Sequence, residues 1–282
     1  MAISEPIVFQ IANRTWCINE FGMDALFLLE GDEKALLIDT GACVFDIPAL
    51  VRRYTDKPLV VAVTHGHVDH AGGLSWFEEA YLHPKDFQMA KAITVEERQD
   101  YVRTIMAISG GIYDLAPEAV VNGPYNTRLL PLADGDVIHL GNRDVVAYDT
   151  PSHTPGSISL LDMKERIIYT GDACNMNTLL ARSADANSDS GTLSTLLSSA
   201  KKIESLHPFY DRNYNGHIGY AGWITQMNPV PECLTRDCIE LCTGLLDGSR
   251  VGVPNSSYPF AGECLLAQNN SIQILYKSSQ LR

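Results

Sequence analysis

The sequence predicts an α+β fold, a layered sandwich with two sheets inside and helices outside. Strand-type runs and helical patterns occur in two successive blocks, each passing from strands to a helix. Leu59-Val60-Val61-Ala62-Val63 is a continuous apolar run of the kind buried on both faces of a sheet. His-bearing loops follow strand-type runs in both blocks, so loops of the two halves are expected to meet along one edge.

In the first block, Ala25-Leu26-Phe27-Leu28-Leu29 and Ala35-Leu36-Leu37-Ile38 read as strands around a hairpin turn, Glu30-Gly31-Asp32-Glu33, and Asp39-Thr40-Gly41 ends the second strand. A helix is expected from Phe45 to Tyr54, then the strand at 59–63, then a loop, Thr64-His65-Gly66-His67-Val68-Asp69-His70. Asp86 to Ser109 reads as an amphipathic helix with Phe87, Ala90, Ile93, Tyr101, Val102, Ile105 and Met106 as apolar members, ended by Gly110-Gly111. This insert near 86–109 has two candidate roles, a cover over the site or a homodimer contact.

The second block is read as strands at Arg128–Pro131, Val137–Leu140, Val145–Asp149, Ser157–Leu161 and Ile167–Tyr169, punctuated by Asp134-Gly135 and Gly141-Asn142. A surface loop from Ser183 to Gly191, a helix at Thr192–Leu206 and a strand at Phe209–Asn213 complete it. No linker divides the chain, so residues 1–282 read as one domain.

Composition narrows the function classes. With 21 basic and 34 acidic residues the formal charge is −13, and no run of Lys or Arg forms a basic stripe. Nucleic acid is therefore not an expected partner. No window approaches the length that crosses a bilayer, and the N-terminus lacks a basic region followed by an apolar stretch, so a cytoplasmic protein is expected. The seven cysteines lack the spacing of a disulfide framework and read as reduced thiols. Cys233, Cys238 and Cys242 lack the paired pattern of a zinc site and read as thiols on a helix.

Four potential metal donors fall within six residues, at His65, His67, Asp69 and His70. Imidazole and carboxylate suit zinc and similar divalent ions, and a lone His has many structural uses, but packing does not require four such groups side by side. Gly66 is expected to let the loop turn sharply, and Gly72-Gly73 to permit close backbone approach.

Residues 64–70 resemble the HxHxDH signature of the metallo-β-lactamase superfamily, and the similarity extends from about Ala25 to His217. The resemblance implies a four-layer αββα sandwich and further ligands in order: His153 in Thr150-Pro151-Ser152-His153-Thr154-Pro155-Gly156-Ser157, Asp172 in Tyr169-Thr170-Gly171-Asp172, and His217 in Asn215-Gly216-His217. It implies one metal on His65, His67 and His153, a second on Asp69, His70 and His217, and Asp172 between them. Asp39 matches an early Asp beside the site, the alternative being a strand-end turn residue.

Asp172 separates this chain from the true β-lactamases of the fold, which lack a bridging Asp there, and His67 from the flavodiiron branch, which carries Glu. The basic glutathione-binding helices of glyoxalase II have no counterpart after Gly219. The resemblance implies a hydrolase with two zinc ions (iron or manganese being the alternatives) that opens an ester, thioester or lactone of a small molecule. Such ions acidify a shared water and polarise the bond under attack. Asp69 is then the catalytic residue, orienting the nucleophile and passing a proton to the leaving group. A phosphodiesterase on a small phosphoester and an iron-dependent oxidoreductase are the competing readings. Tyr113, Tyr125, Tyr214, Tyr220 and Trp223 are candidates for the pocket mouth, Cys174 for its lining, and His83, His139 and His207 for structural roles.

Overall fold

The computed structural model describes residues 2–121, 126–180, 191–222, 227–256 and 263–281. The Ser183–Gly191 loop, apart from its last residue, and the mouth candidates Tyr125 and Trp223 lie outside the described residues.

The first sheet has seven strands in chain order: β1 (Ile7–Ala12), β2 (Thr15–Glu20), β3 (Asp24–Glu30), β4 (Ala35–Ile38), β5 (Leu59–Ala62), β6 (Glu79–Leu82) and β7 (Arg128–Pro131). β1 to β4 are antiparallel neighbours, while β4, β5, β6 and β7 run parallel. β7 therefore closes the first sheet and does not open the second. Its polar-flanked sequence carries no mark of which sheet it joins; the crossover connection decides that.

The chain continues through β8 (Val137–His139), β9 (Asp144–Asp149), β10 (Ile158–Asp162), β11 (Ile167–Gly171), β12 (Asn177–Leu179) and β13 (Arg212–Asn215). The second sheet is ordered β13-β11-β10-β9-β8, with β11 and β13 parallel. The expected strand at 209–213 thus starts later, because His207–Phe209 forms a 3₁₀ turn. A small third sheet joins β12 to β14 (Val253–Pro254), β15 (Leu265–Gln268) and β16 (Gln273–Tyr276).

The helices are α1 (Ile47–Val51), α2 (Val68–Ala71), α3 (Phe87–Ala92), α4 (Val95–Ile108), α5 (Leu193–Ser205) and α6 (Leu234–Asp247). α1 is shorter than the expected helix: Asp46 caps it by accepting from Ala49 N at 2.9 Å, and Pro48 favours its first turn. The insert is two helices. Thr94 interrupts it and makes a capping box with Glu97, which starts α4, and Gly110 and Gly111 end it at φ 64° and 77°. None of the described helices is long and apolar enough to cross a membrane.

Period-2 alternation sorts the side chains into layers. Phe27 and Leu29 of β3, Leu36 and Ile38 of β4, Leu160 of β10 and Tyr169 of β11 meet between the two sheets. Leu26 and Leu28 face the other way with Leu37, onto Ile47, Leu50 and Val51 of α1. Leu161 and Ile168 face α5 and α6 through Leu196, Ala200, Cys238 and Leu241. This is the four-layer αββα arrangement. At roughly 25 cal/mol per Å² of apolar area buried, such two-faced strands account for most of the favourable folding energy.

Candidate metal centre

The C-terminal ends of β4, β5, β9, β11 and β13 lie along one edge of the sandwich, and each delivers part of the site. β4 ends at Asp39, β5 leads to His65 and His67, and β9 leads to His153. β11 leads to Asp172 and β13 to His217. The last residues of the 64–70 segment are helical rather than loop: His67 immediately precedes α2, which carries Asp69 and His70 on its single turn.

All seven sequence-predicted ligands converge. Donor atoms of His65, His67 and His153 lie within 4.8 Å of one another, as do those of Asp69, His70 and His217 and those of His65, His70 and Asp172. Asp172 stands between the first two groups: Oδ2 is 3.3 Å from His153 Nε2 and 3.0 Å from His217 Nε2, and Oδ1 is 3.6 Å from His70 Nε2. His70 Nε2 and Asp172 Oδ1 are buried without a hydrogen-bond partner. Buried polar atoms are normally satisfied, so two unsatisfied donor atoms facing one centre fit a cation. The four carboxylates of Asp24, Asp39, Asp69 and Asp172 make ion pairs with His but with no Lys or Arg among the described residues. Donor type, charge balance and orphaned atoms therefore all fit divalent ions.

The imidazoles are oriented from behind. Asp39 Oδ2 lies 2.9 Å from His70 Nδ1, which leaves Nε2 for the centre, and Asp39 also accepts from Thr64 N and Thr64 Oγ1. Asp39 is thus both of its sequence alternatives at once, a turn residue at φ 64° and a group beside the site. The Met23 carbonyl accepts from His217 Nδ1 at 3.2 Å, so Nε2 of that ring faces Asp172. Thr64 Oγ1 lies 3.1 Å from His65 Nδ1.

Burial opposes protonation of His70, yet Asp24, Asp69, Asp39 and Asp172 hold its proton affinity well above the ordinary value. Burial likewise opposes ionisation of Asp172, and His217, His153 and His70 overcome it, placing the carboxyl well below its usual range. Asp24 goes the other way: burial raises it well above, with His70 the main opposing influence. The field of the pocket calls for positive charge, which protons supply when no cation is present.

Glycines allow the close approaches. A Cβ on Gly73 would stand 2.1 Å from Thr40 O, as expected from the sequence. Gly66 is needed for space rather than for a sharp turn: its Cβ would meet Met89 Cβ at 3.1 Å and Ala90 N at 3.2 Å on α3. On Gly216 a Cβ would lie 2.4 Å from His70 Cε1.

Several contributors escaped the sequence reading. Asp24, fully buried, places Oδ1 3.4 Å from His70 Nδ1; a carboxylate opening an otherwise apolar strand was the available signal. Asp86 Oδ2 accepts from Gly66 N at 2.9 Å and Thr154 Oγ1 at 2.6 Å, and Oδ1 from Gly156 N at 2.7 Å, tying the loop of His65 and His67 to that of His153. Its only sequence mark is an Asp at a helix start. Tyr101, counted as an apolar member of its helix, donates to Asp69 Oδ2 at 2.7 Å.

Among the mouth candidates, Tyr220 stands edge-on to His217 with ring centroids 4.9 Å apart and is partly exposed. Tyr214 instead packs between the sheets against Phe27, and Tyr113 packs against Phe21. Cys174 faces the apolar core against α5 and α6 rather than lining the pocket; Cys238 and Cys242 are buried thiols on α6 as expected, whereas Cys233 stands just before that helix and is only partly buried. His139 pairs with Asp144 at the surface, His83 accepts from Lys85 N and lies 3.7 Å from Asp149, and His207 lies near Glu232.

Comparison with known proteins bears on the family and the fold. A bovine (Bos taurus) protein named acyl-coenzyme A thioesterase MBLAC2 is 30% identical over 174 residues, covering 55% of this chain and 60% of that protein. An uncharacterized protein of Aquifex aeolicus is 27% identical over 244 residues, covering 83% and 90%. The chain thus spans less than two thirds of the length of the thioesterase relatives it matches. Among solved structures, a double mutant of the sec-alkyl sulfatase PisA1 superposes with a TM-score of 0.61 at 15% identity, covering 86% of this chain and 42% of that one. A metallo-β-lactamase from Pontibacter korlensis gives 0.54 at 14% identity, covering 85% and 99%; at such identities the likeness is one of fold. The sequence profile described as the metallo-beta-lactamase superfamily matches residues 22–209. By that match, and by the sandwich and convergent ligand loops above, the chain belongs to the metallo-β-lactamase superfamily.

Proposed function

We propose that the chain is a metal-dependent hydrolase that opens the thioester, ester or lactone bond of a small molecule, using two divalent ions, zinc for preference. The observation that carries the reading is the placement of Asp172 between the two groups of donors, with buried donor atoms of His70 and Asp172 left unsatisfied. His65, His67 and His153 would hold one ion, Asp69, His70 and His217 the other, and Asp172 both. Such a pair of ions, when bound, acidifies water near neutral pH and polarises the oxygen of the bond under attack.

The chain's own residues prepare that chemistry. Asp39 and the Met23 carbonyl fix the tautomers of His70 and His217, so neither ring reorganises during turnover. Asp69 presents Oδ2 at 3.7 Å from both His70 Nε2 and His217 Nε2, where a carboxylate can take a proton from the nucleophile and return it to the leaving group. Tyr220 over His217 supplies a partly exposed apolar wall for the substrate. Of the three bond classes the thioester is favoured by the thioesterase name of the relatives at about 30% identity.

The test is metal content per chain together with turnover of thioester, lactone and phosphodiester panels by wild type and Asp69→Ala. Two zinc ions, thioester turnover and its loss in Asp69→Ala support the reading. Turnover of phosphodiesters alone moves the chain to that chemistry, and a redox-active iron centre with no hydrolysis overturns the proposal.

A further inference from the structure

α4 docks beside the site through two side chains. Arg98 Nη1 donates to Gly72 O at 3.3 Å, immediately after the helical turn of Asp69 and His70, and to Val121 O at 3.0 Å. One turn further on, the Tyr101 hydroxyl lies 2.7 Å from Asp69 Oδ2 and 3.3 Å from Met23 O. Val102 and Ile105 seat this face of the helix among Phe21, Met23, Ala42 and Val44, so the phenol is held in place by packing rather than reaching from solvent.

Both acceptors of the phenol belong to the same half of the centre. Asp69 Oδ2 is the oxygen 3.7 Å from His70 Nε2 and from His217 Nε2. The Met23 carbonyl is the acceptor for His217 Nδ1. One hydroxyl thus touches a proposed ligand directly and shares a carbonyl with a second. In the other half of the centre, His67 Nδ1 lies 2.9 Å from His153 Nε2, which in turn lies 3.3 Å from Asp172 Oδ2.

From this asymmetry we infer that Tyr101 is a positioning residue for one half of the centre: through it, α4 completes the Asp69–His70–His217 group and tightens the ion held there. The phenol has a single proton to donate. Given to Asp69, it restrains a carboxylate that would otherwise rotate on its χ2 bond; turned to Met23 O, it frees that oxygen without leaving the phenol unsatisfied. Partners of this kind behind a metal ligand typically alter affinity about 10–100-fold. The inference rests on the two-ion reading above.

The experiment is a Co²⁺ titration of metal-free wild type and Tyr101→Phe, followed by the visible d–d spectrum, with unfolding of both metal-free proteins as the folding control. The expected result is an unchanged first equivalent and a second equivalent weakened about tenfold or more with a shifted spectrum. A second equivalent of wild-type affinity and spectrum overturns the inference, whereas a wild type that takes up fewer than two ions overturns the two-ion reading and the inference with it. Hydrogen exchange on the wild type needs no variant: amides of 95–108 are expected to gain protection with the second equivalent and not the first. No gain, or an equal gain at each step, refutes the link.

Discussion

Removing Asp86 tests the architecture most directly, because one buried carboxylate holds two loops of the proposed centre together. The side chain is wholly buried and accepts from Gly66 N, Thr154 Oγ1 and Gly156 N. In Asp86→Ala the Thr154 hydroxyl retains Ser157 Oγ at 2.8 Å, so the amides of Gly66 and Gly156 are the groups left buried and unpaired. At about 1–3 kcal/mol for each orphaned donor the loss is roughly 4 kcal/mol, a large share of ordinary domain stability. Asp86→Asn keeps an acceptor toward Gly66 but turns an NH₂ toward the Gly156 amide, which costs about half as much, roughly 2 kcal/mol. For a chain of this size each kcal/mol moves the unfolding midpoint by about 2 °C. Thermal unfolding of the metal-free protein should therefore show drops of about 8 °C and 4 °C. Zinc affinity of both variants, read by competition with a chelating dye, should fall as well, since the loop of His65 and His67 loses its tie through Asp86 to the loop of His153. A metal-free Asp86→Ala midpoint within about 1 °C of wild type would refute the tether.

Asp39→Asn keeps the volume and tolerates the positive φ, but places an NH₂ where His70 Nδ1 needs an acceptor. Zinc affinity should fall about 10–100-fold, measured by competition titration. Gly216→Ala, whose new Cβ would lie 2.4 Å from His70 Cε1, should displace that ring and abolish hydrolysis while the far-ultraviolet circular dichroism stays that of the wild type. Burial raises the Glu20 carboxyl to about 8, against hydrogen bonds from the Ala42 and Val44 amides, which lower it. With the folded value above the unfolded one, the native state holds the extra proton, so stability falls as pH rises from about 5 to 8. Urea unfolding of the metal-free protein should lose roughly 1.4 kcal/mol per pH unit over that window from this group, and Glu20→Gln should remove that part of the slope.

Residues 64–70 were legible because the chemistry is local: a metal needs several donors at short range, and four within one turn of loop and helix are rare for any other reason. His153, Asp172 and His217 were legible through the resemblance, each sitting in its own recognisable short segment at a strand end. The sandwich was legible in the two-faced apolar runs of β3, β4, β5 and β10, whose burial leaves few alternatives to a doubly covered sheet.

Tertiary structure alone decided the rest. β7 reads the same in either block, and only its parallel pairing with β6 assigns it to the first sheet. Asp86, Asp24 and Tyr101 act on partners 68, 46 and 32 positions away, and nothing in their own neighbourhoods marks those partners. Tyr101 shows the reason most plainly, since a phenol in an amphipathic helix satisfies the apolar pattern with its ring whether its hydroxyl meets water or a carboxylate. Periodicity records which face of an element is buried; which polar group waits there is set by elements that arrive from elsewhere in the chain.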